Sequence, residues 1–557
     1  IGVRLVGSEM CIRDSLKTED ANMACTTILV GRKASYDGST LIARNEDSAN
    51  GEFNPKRLVV VKPEDQPRVY KSVLSHVTVE LPDNPMQYTS VPNADLREGI
   101  WGEAGVNEAN VAMSATETLT SNERVLGADP MVELQKAQGK VGDADYKPEV
   151  PGGIGEEDFL TLVLPYIRSA REGVERLGAL LEKYGTYEMN GVAFSDVNEI
   201  WWFETVGGHH WIAKRVPDEA YVVMPNQLGI DEFDLDDAFD TQEEHMCSAD
   251  LLEFIEENYL DLSVENASPF NPRDAFGSHS DADHVYNTPR AWFMERFLNP
   301  YDEVWDGKDA DHRPDSNDIP WARQPERKVT IEDVKYVLSS HYQGTEYDPY
   351  GKLGDEHTRH MLRPIGINRQ SELAVMQIRP YMPEAMRAIQ WITYGSNPFN
   401  SLIPFYPNVN RTPKYLEDTT TRVTSENFYW ENRIIAALAD AAFNDTANSI
   451  ERYQEVVGSL GHAMVKSTDA AVADLLGVDL ADYEPEREGD EGEDYDDLVR
   501  DPEAIIAELR NDKVREALAE ANDDMAAKLK KETDSLLDTV LYITSMRMKN
   551  GFNRSDH

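Results

Sequence analysis

Met23-Ala24-Cys25-Thr26-Thr27-Ile28-Leu29-Val30-Gly31, then Asp37-Gly38-Ser39-Thr40, then Ala43-Arg44-Asn45-Glu46-Asp47 is the stretch on which the reading of this chain turns. Residues 26–30 are apolar and β-branched, 36–39 carry the Asp-Gly turn signal, and 40–43 resume an apolar run, so strand, turn and strand are predicted. A cysteine opens the first strand. If Cys25 became the first residue of a mature chain, its own α-amine would lie within reach of its own thiol. The amine titrates near pH ~8 and the thiol near ~8.5, so one can take the proton of the other at neutral pH. Such a residue is nucleophile and general base in one. A lone cysteine in an apolar strand is more often a small buried hydrophobe, so the weight falls on what surrounds it.

The chain has 557 residues, more than one ordinary core needs, and one large domain with additions or two domains is expected. Hydrophobic residues at 40% and aromatics at 9% suffice for a packed interior. The net charge of −48, from 54 basic and 102 acidic residues, repels phosphate backbones and anionic bilayers. Neither nucleic acid nor a membrane is therefore expected as a partner, and the charge is read as solubility or a salt-rich cytoplasm. Cys11, Cys25 and Cys247 are too few and too odd in number for a disulfide framework, which points to a reducing, cytoplasmic compartment. Neither Cys-x-x-Cys nor His-Glu-x-x-His spacing occurs, so no metal and no cofactor is expected, and His209-His210 reads as strand. No run of about 18 apolar residues is present. Residues 1–22 make a poor signal peptide, because their apolar stretch is short and broken by Arg4, Ser8 and Glu9. Residues 1–15 read as a misassigned start or a foreign remnant, Met23 as the initiator, and 1–24 as a leader that is removed.

Further apolar runs at 58–61, 106–114, 191–195, 200–204, 211–214, 221–224, 373–378 and 389–394 predict strands. Residues 156–184 predict one helix, with Leu160, Val163, Leu164 and Ile167 near helical spacing and Gly185 at its end. Thr330 with Asp333 three residues on predicts a capped helix over 330–339. Residues 231–240 read as an acidic loop, and Pro404-Phe405-Tyr406-Pro407 as irregular structure. From about 426 the pattern turns helical, at 434–443, 450–465, 469–476, 502–520 and 523–548, interrupted by an acidic link at 479–501. Strands interleaved with long helices, without repeated βαβ units, indicate an α+β fold. The expected division is a core domain at 25–425 and a helical extension at 426–557.

The opening motif resembles that of the cysteine dipeptidase A family, whose wider kin are the N-terminal-nucleophile hydrolases such as penicillin V acylase and conjugated bile salt hydrolase. The likeness continues through Glu98-Gly99-Ile100-Trp101-Gly102, Gly105-Val106-Asn107-Glu108, Val111-Ala112-Met113-Ser114-Ala115-Thr116-Glu117, Trp201-Trp202-Phe203-Glu204, Met224-Pro225-Asn226-Gln227, Asn287-Thr288-Pro289-Arg290-Ala291-Trp292 and Arg363-Pro364-Ile365. It covers roughly 25–407. It implies a four-layer αββα sandwich with Cys25 at the end of a central strand, and dipeptides as substrates. By the same resemblance Arg44 and Asp47 flank the nucleophile. Arg44 would favour the thiolate, and Asp47 would fix the α-amine. Asn226 maps onto an oxyanion-hole amide, and Arg290 onto a second active-site arginine. Thr116 stands where the acylases carry another asparagine, and the second oxyanion donor, in contact with substrate, is expected from Thr116 or from the backbone of this segment. Cys247 beside His245 reads as incidental, its acidic flank raising the thiol. A homo-oligomer is expected. Two alternatives stay open: an acylase of other N-acyl amides, and a secernin-like relative without enzymatic activity.

Overall fold

A computed structural model describes residues 24–49, 51–264, 269–483 and 502–550. Residues 1–23 of the leader expected at 1–24, and most of the acidic link, lie outside the described residues. Among these, strands β1 Ala24–Val30, β2 Thr40–Asp47, β3 Ala104–Val106, β4 Ala112–Thr118, β5 Asn190–Ser195, β6 Ile200–Val206, β7 His210–Arg215, β8 Tyr221–Met224, β9 His245–Cys247, β10 Ala322–Arg323, β11 Gln370–Ile378, β12 Ala388–Tyr394 and β13 Ile403–Phe405 build two antiparallel sheets. The first runs β10-β8-β1-β2-β11-β12-β13 and the second β9-β7-β6-β5-β4-β3. With β1 and β2 at its centre, the first sheet holds the opening motif between neighbours on both sides.

Side chains alternate between the faces of a strand, and the register shows which go where. Cys25, Thr27 and Leu29 of β1 lie opposite Glu46, Arg44 and Ile42 of β2. These in turn lie opposite Glu372, Ala374 and Met376 of β11. Leu29, Ile42, Ala374 and Met376 share one buried cluster with Val106, Ala112, Ala193, Trp202 and Ile212 of the second sheet, so this face looks toward that sheet. Ile28 and Val30 turn the other way. They pack with helices α3 Thr288–Leu298, α4 Ile331–Leu338, α5 Phe428–Asp440 and α6 Phe443–Leu476, through Trp292, Val334, Val337, Ile435 and Val457. The far face of the second sheet buries Val192, Phe194, Trp201 and Phe203 against α1 Glu156–Val163 and α2 Ala170–Tyr184. Each fully buried Leu or Ile removes enough apolar area from water to contribute about 1.5–3 kcal/mol. The fold is α+β.

Several elements depart from the sequence reading. The helix predicted over 156–184 is two helices, Glu156–Val163 and Ala170–Tyr184, because Pro165 lacks the N–H that would carry the helix through. The strand predicted over 106–114 is parted into β3 and β4 by a turn in which Asn107 Oδ1 accepts from the N–H groups of Ala109 and Val111. Residues 404–407 include the edge strand β13, where Pro404 is tolerated. The three helices predicted between 434 and 476 are α5 and one continuous α6, closed by the left-handed Gly477. The capping box at Thr330 and Asp333 forms as predicted. Helices from 428 onward share a buried cluster with the first sheet, and the side chain of Asn522 brackets Tyr406 with two backbone hydrogen bonds, each 3.0 Å.

Candidate active site

Cys25 is fully buried near the end of β1. The sulfur faces the inter-sheet space, in a row with Glu46 and Glu372. Arg44 lies one row in. Burial by itself would loosen the Arg44 proton, yet the influence of Cys25 and then of Glu103, Glu156 and Glu46 outweighs it and holds the guanidinium firmly charged. Arg44 ion-pairs with Glu103, which stands just before β3, and lies 3.5 Å from Glu156. Lys56, also fully buried, reaches Glu46 at 2.7 Å and Glu103 at 3.5 Å. Burial, and then the charge of Glu103, push the Glu46 carboxyl up to about 8 against the pull of Lys56 and Arg44. Burial and Glu46 likewise raise Glu372 well above the carboxylate range.

The outward face of the same strand end carries a different set. Asp47 pairs in register with Ala24, directly ahead of Cys25. Its carboxylate is buried and ion-paired to Arg363, while its Oδ1 has no hydrogen-bond partner among the described residues. Arg290 is buried on α3 with each of its five N–H donors engaged. Nη1 donates to the Cys25 carbonyl and to Thr26 Oγ1 at 2.8 Å. Nη2 donates to Asn226 Oδ1 and Asn287 Oδ1, both at 2.7 Å, and Nε to the Tyr286 carbonyl at 2.9 Å. Asn226, just beyond β8, is thereby oriented, and its amide donates to the Thr118 carbonyl at 2.9 Å.

The profile of Peptidase family C69 matches residues 24–456. The chain belongs to peptidase family C69. It is 73% identical over 539 residues to the "Dipeptidase" of Bifidobacterium longum, spanning 96% of this chain and 100% of that one. It is 51% identical over 534 residues to the "Probable dipeptidase A" of Streptococcus pyogenes, covering 96% and 100% of the two chains. To the "Dipeptidase A" of Lactobacillus helveticus it is 43% identical over 461 residues, 82% of this chain and 90% of that one. These matches bear out the family resemblance read from the opening motif.

In this C69 chain the structure gathers Cys25, Arg44, Asp47, Asn226 and Arg290 around one strand end. Arg44 and Asp47 do not pair with each other. Three positions apart on a strand, they point to opposite faces, and each finds its own counter-ion. The side chain of Thr116 lies outside the described residues. Sequence reasoning missed Glu103, Lys56 and Glu46 as neighbours of the cysteine, and it quoted Arg363 without placing it. The two-residue alternation of β2 was the available signal for Glu46. Cys247 stands apart, its thiol pushed up to about 12 by burial and then by Asp250. His209 and His210 both hydrogen-bond Asp129, at 2.8 and 2.7 Å.

Proposed function

We propose that the protein is a cysteine-type dipeptidase whose nucleophile is Cys25, freed at its α-amine by loss of the residues ahead of it. The observation that carries this is the placement of a buried cysteine beside a permanently charged arginine, with a buried carboxylate oxygen on the neighbouring position of the partner strand. The near full-length identity to proteins named dipeptidase supports the substrate class. The two facing antiparallel sheets, packed against helices on their outer faces, fit a four-layer αββα N-terminal-nucleophile sandwich.

In this reading Arg44 favours the thiolate. Asp47 Oδ1 accepts a hydrogen bond from the α-amine and fixes its direction. The thiolate attacks the scissile carbonyl, Asn226 and the backbone near Thr116 take the developing oxyanion, and the α-ammonium gives its proton to the departing amine. Water then cleaves the thioester and restores the thiol. Arg290 positions rather than reacts, since its donors lock the Cys25 carbonyl and the Asn226 amide in one frame. No helix among the described residues is long and apolar enough to cross a membrane. With sparse cysteines, we place the enzyme in the cytoplasm, as a homo-oligomer, with 426–557 as a helical extension of the core.

N-terminal sequencing of the active protein is expected to begin at Cys25. Cys25→Ala should lose dipeptide hydrolysis by about 10⁴-fold or more, as removal of a nucleophile does elsewhere. Full turnover by that variant would end the proposal.

A further inference from the structure

The inter-sheet space beside Cys25 holds more buried acid than base. Glu46, Glu103, Glu156 and Glu372 are set against Arg44 and Lys56, with every one of these side chains 3% exposed or less. Isolated buried charges are costly and are retained where a partner neutralises them. Polar atoms in the same space also lack hydrogen-bond partners among the described residues: Glu46 Oε1, Glu372 Oε2, Arg44 Nη1 and Ser114 Oγ. Ser114 pairs in register with Ala104, the residue after Glu103, so its strand borders the cluster. The cluster thus has unused acceptors and more carboxyls than cations, at the place where the nucleophile would meet its substrate.

We propose that Glu46 and Glu103 form the subsite for the free α-ammonium of the substrate's first residue, so that the enzyme demands an unblocked amino terminus. This rests on the dipeptidase reading and adds the groups that select the substrate. The reach is right. In a peptide the amino nitrogen lies about 2.5 Å from the carbonyl carbon of its own residue, from the N–Cα and Cα–C bonds. Residues directly opposite on antiparallel strands have Cβ atoms about 5 Å apart, which is the relation of Glu46 to Cys25. A carboxyl two carbons beyond Cβ therefore lies beside a carbonyl held at the sulfur. A cation carrying one charge fits better than a metal dication, because Arg44 and Lys56 stand among the carboxyls and would repel the higher charge. Burial and Glu103 raise the Glu46 carboxyl, and an arriving ammonium beside it would favour the charged form and take up the place of its proton. An N-acyl group offers no charge, and it would leave these carboxyls unmatched.

The test compares alanyl-alanine with propionyl-alanine, which differs only by hydrogen in place of the ammonium. The wild-type protein is expected to favour alanyl-alanine in kcat/KM by at least about 100-fold, the scale on which unpaired buried polar groups reject an analogue. Glu46→Gln should cut turnover of alanyl-alanine about 100-fold and shift propionyl-alanine by only a few-fold, through loss of one partner of a buried charge pair. Equal wild-type turnover of the two compounds overturns the subsite, and so does a Glu46→Gln enzyme that keeps the full preference. The wild-type ratio decides whether an amino terminus is demanded, and Glu103→Gln, read by the same ratio, decides the assignment if Glu46→Gln does not fold. Wild-type cleavage of propionyl-alanine with none of alanyl-alanine would instead sink the dipeptidase reading itself.

Discussion

The inter-sheet face of β1, β2 and β11 is two environments joined end to end. At one end Leu29, Ile42 and Met376 lie in a row, buried against Ala193 and Trp202 of the second sheet. Four residues along each strand, Cys25, Glu46 and Glu372 lie in the corresponding row, buried just as deeply among Arg44, Lys56 and Glu103. The degree of burial matches, and the ladder runs through both rows, shifting register only between Gln370 and Glu372 at the charged end. Only the side chains differ. The apolar rows fasten the sheets together by removing hydrocarbon from water. The charged row gains nothing from that effect and must be held by it, so the fold keeps its chemistry at one edge of a face whose remainder supplies the stability.

That contrast can be broken from either end. At the charged end, Asp47→Asn should lower kcat by about 10²–10⁴-fold, the usual worth of a group that sets proton transfer. KM should change little, and a stopped-time dipeptide assay reads both. An unchanged kcat would remove Asp47 from the mechanism. At the apolar end, Leu29→Ala should cost about 2–5 kcal/mol in denaturant unfolding, as core truncations do, and leave kcat within a few-fold. A large loss of activity without loss of stability there would erase the distinction between the two rows.

The smallest expected effect is on pH and stability. Burial, then Glu103, push Glu46 up to about 8. Burial pushes Glu204 up to about 7, and burial with Glu157 does the same for Asp158. Each carboxyl is raised above its unfolded range, so the folded chain holds protons that the unfolded chain releases. Stability from these groups is greatest below the carboxylate range and declines as pH rises to about 8, where it levels off. The thermal midpoint, measured at constant salt from pH 5 to 9, should fall and then flatten. A midpoint that climbs steadily to pH 8 would contradict the sign. Glu46→Gln should make the fall shallower.

Much of this was legible in the chain. The β-branched run after Cys25 and the Asp-Gly turn located the central hairpin, because period and turn chemistry are local properties. The capping box at Thr330 was readable for the same reason. What could not be read depended on distance. Glu103 and Lys56 reach Arg44 and Glu46 from segments with no periodic signal of their own. Arg363 meets Asp47 across 316 residues of chain. Local reading also failed where one atom decided the outcome. Pro165 breaks a helix whose apolar spacing runs on without interruption, and Asn107 turns an apolar run into two strands. The sequence placed Arg44 and Asp47 together beside the cysteine, and their odd separation on a strand sends them to opposite sides of the sheet.

Arg290 and the ladder around β1 have one more consequence. Thr27–Val30 are bonded to β8 on one side and to β2 on the other, and among the described residues only the Ala24–Asp47 pairing lies ahead of the cysteine. The guanidinium grips the Cys25 carbonyl, on the far side of any cut before that residue. Under the proposed processing, a chain severed there would keep the described ladder of β1 from Cys25 onward, and the new terminus would emerge already anchored where that proposal needs it.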